Sequence, residues 1–329
     1  MLPWLNILLL ALVPVVALTL VVRWLGRTYR LPPYAGWGER LWHFGFLAFC
    51  CAVLLFLIAP ILVVIPLSFN AESFFSFTSG MLRLDPEAYS LTWYKDILLN
   101  GVSAPEGTWP TWSDIWNNAQ WVNSMKNSFI VGIAATFIAT SLGTLAALGL
   151  SRPEMPYRNT IMSLLISPMI VPIAITALAS FFFLARAGIV YTYWGLILMH
   201  AVIGIPFVII TVTATLTSFD NGLIRAAQSL GAPPWTTFRK VILPLILPGM
   251  VSGALFAFVT SFDEVVLVYF IAGTEQRTIP RQMWAGIREQ ISPTILAVAT
   301  ILVVISVLML STIELLRRRS ERLRGVTPA

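Results

Sequence analysis

Charge is what this chain lacks most. Only 11% of its 329 residues are Asp, Glu, Lys or Arg, 57% are hydrophobic, and the mean hydropathy is +0.82. A water-soluble domain carries about a quarter charged residues, so that class is excluded. Cysteine and histidine are nearly absent, with two of each. Cys50 and Cys51 are neighbours inside an apolar run, which excludes an ordinary disulfide between them and offers no metal spacing. His43 and His200 stand alone, with no Cys or acid close by in sequence, and are read as packed or hydrogen-bonded side chains. The chain contains no G-x-x-x-x-G-K-[ST], no H-E-x-x-H and no G-x-S-x-G. Nothing in it therefore signals a nucleotide site, a zinc protease or a serine hydrolase.

What is there instead is a series of uncharged stretches: 1–22, 41–71, 127–151, 159–185, 187–219, 241–262 and 290–313. Each is at least about the 20 residues a helix needs to cross a bilayer. The sixth is expected to continue past an acidic pair to residue 272. A membrane barrel would show short alternating segments rather than long apolar runs. The fold class predicted is an all-α polytopic membrane protein with about seven transmembrane helices.

The basic residues assign the sides. Fourteen of the 21 fall on one side: Arg23, Arg27, Arg30 and Arg40; Arg152 and Arg158; Arg225, Arg239 and Lys240; and the tail arginines 317, 318, 319, 322 and 324. That side is cytoplasmic by the positive-inside rule. The net charge of +6 thus reads as topology, not as a nucleic-acid footprint. The N-terminus is expected outside and the C-terminus inside. The first run lacks a basic n-region and has its arginines after it, so it is read as an uncleaved helix, not a signal peptide.

Four regions follow: residues 1–40, an extra N-terminal helix and cytoplasmic linker; 41–126, a first core helix and a large outside segment; 127–316, the remaining core with a cytoplasmic loop at 218–243; and 317–329, a basic tail. The outside segment holds six acids (Glu72, Asp85, Glu87, Asp96, Glu106, Asp114) against three bases, and Trp93, Trp109, Trp112, Trp116 and Trp121. The indoles are interfacial anchors or a landing surface for an extracytoplasmic partner. On the 127–151 helix, Gly132, Ala135, Ala139, Gly143 and Ala147 recur at steps of three and four, a face that lets a neighbouring backbone come close. Pro168, Pro172 and Pro206 lie within later spans, where neighbours or water satisfy the freed carbonyls; the kinks serve motion or fixed shape.

The stretch "NGLIRAAQSLGAPPWTTFRKVILPLILPG" interrupts the apolar runs on the cytoplasmic side. It reads as two short helices. Asp220 or Asn221 caps the first, whose apolar face is Leu223, Ala226, Ala227 and Leu230. Gly231 stops it, where a left-handed residue is cheap. Pro233 and Pro234 suit the first turn of the second, where a missing N–H costs little. That second helix carries Trp235, Phe238, Val241 and Ile242 on one stripe. Such a stripe needs a protein partner or lies on the lipid surface.

Asp263 and Glu264 are the exception to the apolar rule, since an ionisable group within a span is costly and points to function. Fifteen residues from Pro248 to Asp263 make about 22 Å of helix, which places the pair in the outer half of the bilayer. Consecutive residues point about 100° apart, so one acid faces the pathway and the other pairs elsewhere, with Arg186 or Arg277 as candidate partners. Thr260 and Ser261 add hydroxyls, and Phe258, Phe262 and Tyr269 add aromatic faces. A carboxylate among rings suits an organic ammonium. The plainer reading is two acids near the headgroups beside an outside arginine.

These residues carry a resemblance. "RAAQSLGAPPWTTFRKVILPLILPG", with its Ala pair and a Gly four residues after the second Ala, resembles the EAA loop of ATP-binding-cassette importer permeases. "LPGMVSGALFAFVTSFDEVVLVYFIAG", "RTIPRQMWAGIREQISPTILAVATIL", "PLSFNAESFFSF" and "YSLTWYKDILLN" resemble the spermidine/putrescine branch of that family. The likeness covers residues 55–316 and leaves the first 40 outside the usual pattern. It implies a six-helix permease core plus the extra N-terminal helix, in a bacterial inner membrane. It also implies a second homologous permease, two copies of an ATPase that binds the ATP and Mg, and a periplasmic substrate-binding protein. The chain itself would hold no cofactor or metal and catalyse nothing. Arg225, Ala226, Ala227, Leu230, Gly231, Trp235 and Phe238 would dock in the ATPase groove. Arg225 stands where the family usually has Glu, which puts that one polar contact in doubt. The implied cargo is a polyamine or related organic cation, with opine-like, amino-acid-derived or aminophosphonate cargo as the alternative. A self-sufficient secondary transporter would show inverted repeats and several buried charges; no clear repeat and one charged pair are seen. A membrane enzyme lacks a nucleophile–base set.

Overall fold

The computed structural model describes residues 34, 36–103, 109–152, 154–217, 222–289 and 292–323, and the side chains among these except those of 289, 309, 310 and 312–323. The expected span 1–22, with Arg23, Arg27 and Arg30, lies outside the described residues, as do Glu106, the Asp220/Asn221 cap and Arg324. Among the described residues the regular structure is helical, apart from one isolated bridge between Asn70 and Tyr89. The chain forms two compact units, Met1–Leu99 with Ile291–Ala329, and Asn100–Gln290.

The first unit holds α1 (Trp37–Leu67), α2 (Ser79–Leu82), α3 (Thr92–Leu99) and α14 (Thr294–Leu323), with the intervening helices in the second unit. α1 is 31 residues of apolar sequence that keeps Pro60 and Pro66 within one helix. Cys50 and Cys51 on it are free thiols, and the His43 ring meets Phe44 edge-on at 5.5 Å. α14 packs against α1 and α3, and Thr294 Oγ1 donates to the Asp96 carboxylate at 2.6 Å. After α1 the chain is tied down by Asn70, which is fully buried. Its Nδ2 donates to the Phe74 and Ser76 carbonyls, and its own carbonyl accepts from Trp93 Nε1 at 2.7 Å. Trp93 is therefore a structural pin; Trp109, Trp112 and Trp116 remain exposed.

The second unit begins with α4 (Trp112–Asn118) and α5 (Gln120–Leu150), followed by α6 (Arg158–Ile170), α7 (Ile173–Arg186), α8 (Tyr193–Thr217) and α9 (Gly222–Ser229). α10 (Pro234–Thr237), a π-helical turn over Phe238–Ile242 and α11 (Leu243–Asp263) form one 30-residue helical stretch. α12 (Val266–Ile271) and α13 (Ile279–Glu289) complete it. Among the described residues four stretches are long and apolar enough to cross a membrane, α1, α5, α8 and Pro234–Asp263, or five if the bent pair α6–α7 counts as one span.

Two expectations are corrected. The run 159–185 is not one straight span, because α6 and α7 meet at 100°. Pro172 causes the break: it disfavours helical geometry at the residue before it, and Val171 is extended at φ −69°, ψ 132°. Pro168 and Pro206, with no such break after them, sit inside continuous helices. The sixth span does not run unbroken to 272 either, since α11 ends at Asp263 and Glu264 is extended.

The core is the packing of α5, α8 and α11 on one another. The small-residue row expected on α5 is the face it buries: Gly132, Ala135, Ala139, Gly143 and Ala147 are all buried. A methyl group at Gly132 would lie 3.0 Å from the Phe258 ring, and one at Gly143 would lie 2.7 Å from Val208 Cβ. One at Gly204 would meet Ala257 Cβ at 3.0 Å. Lipid tails are as apolar as leucine, so such helices gain by close van der Waals fit, which small residues permit. Gly143→Val is expected to destabilise the chain by about 1–3 kcal/mol, the usual cost of overpacking. Gly149, with open space around its Cα, is the control. Thermal denaturation in detergent compares Gly143→Val with Gly149→Val, and equal loss in the two variants would contradict the packing account.

Candidate functional site

The polar interruption between the long apolar runs folds as expected from Gly222 to Gly231 and differs beyond it. α9 is a two-turn helix closed by a paired turn: Gly231 N–H donates to the Gln228 carbonyl at 2.9 Å and Ala232 N–H to the Ala227 carbonyl at 3.0 Å. This double closure requires a left-handed residue just past the helix, and Gly231 has φ +77°. Pro233 then caps and Pro234 opens the next helix. That helix is not a second short rod as expected but the first turns of the 30-residue stretch ending at Asp263. Ala226, Arg225, Leu230 and Trp235 are exposed, Leu230 at 88% and Trp235 at 68%, while Ala227 and Phe238 are half-buried. The Trp235 and Phe238 rings stack at 5.7 Å. The result is an elbow with uncovered apolar side chains, whose second arm is continuous with a spanning helix.

At the far end of that helix the acidic pair splits. Asp263 is exposed. Glu264 is half-buried, and its Oε1 accepts from the backbone N–H groups of Val266 at 2.7 Å and Leu267 at 2.9 Å. Its partners are the free donors at the start of α12, rather than Arg186 or Arg277. A carboxylate there also meets the positive end of the helix dipole. Arg281 serves the opposite end, donating through Nη1 to the carbonyls of Ala272 (2.8 Å), Gly273 (2.9 Å) and Val268 (3.4 Å). Burial, and after it the nearby Arg277 charge, lowers the Arg281 pKa from its ordinary value. Six residues of helix are thus held by one charged side chain at each end.

Aromatic side chains surround this break. Phe262 stacks on Phe258 at 5.4 Å and meets Phe129 edge-on at 5.3 Å, which joins α11 to α5. Thr260 is half-buried. Tyr269 is 50% exposed, but its ring faces Arg281 at 5.8 Å and its hydroxyl accepts from Arg288 at 3.4 Å. Ser261 Oγ and His200 Nδ1 form a buried hydrogen bond at 2.8 Å that ties α11 to α8. His200 is accordingly a hydrogen-bonded core residue.

Sequence reasoning missed a polar cavity of about 550 Å³ at this same end of the bundle. Its walls include Gln120, Ser124, Asn127, Tyr193, Glu275 and Arg277. The loop 273–278 borders it and is pinned by Asn127, which is 5% exposed. Asn127 Nδ2 donates to the carbonyls of Glu275 (2.6 Å) and Arg277 (2.9 Å), and its Oδ1 accepts from the Tyr193 hydroxyl at 2.7 Å. Ser128 Oγ accepts from Ile279 N–H at 2.8 Å. The signal available was the spacing of Gln120, Ser124 and Asn127, one face of a helix.

Long apolar helices, a packed three-helix core, an exposed elbow at one end and a polar break at the other define a multi-pass membrane transport subunit. The family described as binding-protein-dependent transport system inner membrane component matches residues 121–322, and the chain belongs to that family. The spermidine/putrescine transport system permease protein PotC of Haemophilus influenzae is 28% identical over 274 residues, covering 83% of this chain and 96% of that protein. PotC of Escherichia coli is 28% identical over 279 residues, 85% of this chain and 95% of that one. The putrescine transport system permease protein PotI of Escherichia coli is 26% identical, covering 75% of this chain and 81% of that protein. Among solved structures, a bacterial ABC transporter involved in the import of the acidic polysaccharide alginate superposes with a TM-score of 0.63 at 15% identity, over 87% of this chain and 99% of that one. That likeness supports the fold. As an importer permease subunit of the inner membrane, the chain transports and does not catalyse; ATP hydrolysis belongs to a separate subunit.

Glu264 is expected to be structural first. Glu264→Gln keeps an acceptor for the two N–H groups, whereas Glu264→Ala loses it at a cost of about 0.5–2 kcal/mol. Denaturation midpoints in detergent should fall for Ala and hold nearer wild type for Gln; the same midpoint for Ala as for wild type would contradict the cap.

Proposed function

We propose that this chain is one half of the translocation path of an ATP-driven importer for polyamines such as putrescine and spermidine, or a closely related small organic cation. It pairs with a second homologous permease as a heterodimer. Two copies of an ATPase subunit, which bind ATP and Mg, act on it from the cytoplasm, and a periplasmic binding protein delivers cargo from outside. The chain itself holds no cofactor. Its N-terminus is periplasmic and its C-terminus cytoplasmic, as the arginine distribution implies. The four regions 1–40, 41–126, 127–316 and 317–329 divide the work, with 218–243 as the coupling segment.

The observation that carries the reading is the elbow. Leu230 is exposed at a fixed turn, and Trp235, just past that turn, is exposed on a helix that runs without a gap to the acidic end. A ligand shifts an equilibrium only through contacts that differ between two states, and this apolar surface offers such contacts to a closing ATPase. Arg225 is exposed on the same short helix, so the partner groove supplies an acid or leaves that position open. For cargo, support comes from the names of the PotC and PotI relatives and from Asp263, an exposed carboxylate at the end of α11. Thr260, Phe262, Glu264 and Tyr269 complete the proposed path around it.

Two outcomes test this. Gly231→Val forces a β-branched residue into a left-handed turn, at about 1–2 kcal/mol; the reconstituted complex should keep ATPase activity while losing most uptake. Asp263→Asn should lower putrescine and spermidine uptake with the complex still assembled. Normal uptake in both variants, or solute movement by the purified chain alone in vesicles, would overturn the proposal.

A further inference from the structure

We propose that the cavity bordered by the 273–278 loop is where this chain first receives cargo, with the Glu275 carboxylate as counter-charge to an organic ammonium and Asn127 as the residue that positions Glu275. The inference rests on the cation-importer reading above and adds a site to it, on a loop separate from the acidic break at Asp263.

The cavity's chemistry selects for a small charged solute. Of the residues lining its 550 Å³, Ile130 alone is aliphatic, and the others carry hydroxyls, amides, an aromatic alcohol or charge. Its one carboxylate is Glu275, whose side chain is exposed. Tyr193, an aromatic ring of the kind that attracts an ammonium, also lines the cavity. Two cations also line the wall, Lys126 and Arg277. The Lys126 ammonium is turned to α4, where it donates to the Trp116 carbonyl and lies 4.6 Å from that indole ring centre. Arg277 opposes a cation directly. A site of one carboxylate and one opposing guanidinium binds a polyamine weakly, and a transport path requires cargo held loosely enough to leave.

Glu275 is placed by its backbone rather than its side chain. Its carbonyl accepts from Asn127 Nδ2 at 2.6 Å and from the Tyr193 hydroxyl at 3.4 Å, and Asn127 holds the Arg277 carbonyl as well. A single buried amide therefore fixes two of the charged residues at the cavity. At the base of the loop, Thr278 is 3% exposed and its hydroxyl has no hydrogen-bond partner, which makes it a site for a probe that costs no bond.

The test uses the full complex of both permeases, ATPase and binding protein in proteoliposomes, with labelled putrescine and spermidine. Glu275→Gln should lower uptake about fivefold, the scale of one exposed charge pair. Glu275→Asp should recover most of it, and Arg277→Gln should raise it. In a Cys50→Ser, Cys51→Ser background, Thr278→Cys should react with an impermeant maleimide slowly, and at least severalfold faster when Asn127→Asp removes the two donors. Tyr193→Phe, which keeps the ring, should speed it by less. Uptake by Glu275→Gln equal to wild type, or labelling unchanged by Asn127→Asp in protein that elutes as wild type, would overturn the site. Failure of the wild-type complex to move either amine would instead remove the cation-importer reading, and the site with it. The labelling arm reports on the loop whatever the cargo is.

Discussion

Close backbone contact among α5, α8 and α11 is the constraint on which the rest of the second unit depends. In lipid there is little hydrophobic gain from bringing two apolar helices together, so association rests on fit. Here an added methyl group would crowd a partner side chain or backbone at Gly132 and Gly204 (3.0 Å) and clash with one at Gly143 (2.7 Å) and at Gly253. The Phe129–Phe258–Phe262 cluster seals one end of this contact, and the His200–Ser261 hydrogen bond ties α8 to α11 nearby. The polar cavity and the acidic break both lie where these helices end, so their geometry is inherited from the packing.

Much of this was legible in the sequence for a simple reason. Bilayer thickness sets a minimum length for an apolar run, and five of the described runs contain helices close to where the charges stop. The small-residue row on α5 was readable because helical periodicity is strict. Gly231 was readable because a helix followed by Gly and two prolines leaves few alternatives for the turn. What did not show was anything that depends on how one segment meets another. Pro172 breaks its span while Pro168 and Pro206 do not, since a spanning helix absorbs a proline when neighbours allow. Glu264 reads as a buried charge until the chain is seen to break after Asp263, whereupon it becomes a cap. The cavity draws on residues near 120–130, 193 and 274–282, and no local pattern unites them.

The two ends of the α10–α11 stretch are built in different ways. At the Pro234 end, apolar side chains are left uncovered beside a turn fixed by two backbone hydrogen bonds. At the other, charged side chains are spent on backbone groups: Glu264 on the start of α12 and Arg281 on its end. Polar groups without water must find such partners. One end is thus suited to meeting a protein and the other to holding its own shape while presenting Asp263.

The uninterrupted run from Pro234 to Asp263 has a mechanical meaning. Thirty residues make a rod of about 45 Å. Pivoted at its base, such a rod sweeps its tip by about 0.8 Å for each degree of tilt. Since Val208 backs onto both Gly143 and Gly253, the neighbouring rods leave it little slack in which to bend. Small rocking at the Pro234 foot is therefore delivered at the distal tip as ångström-scale travel, with leverage supplied by length alone.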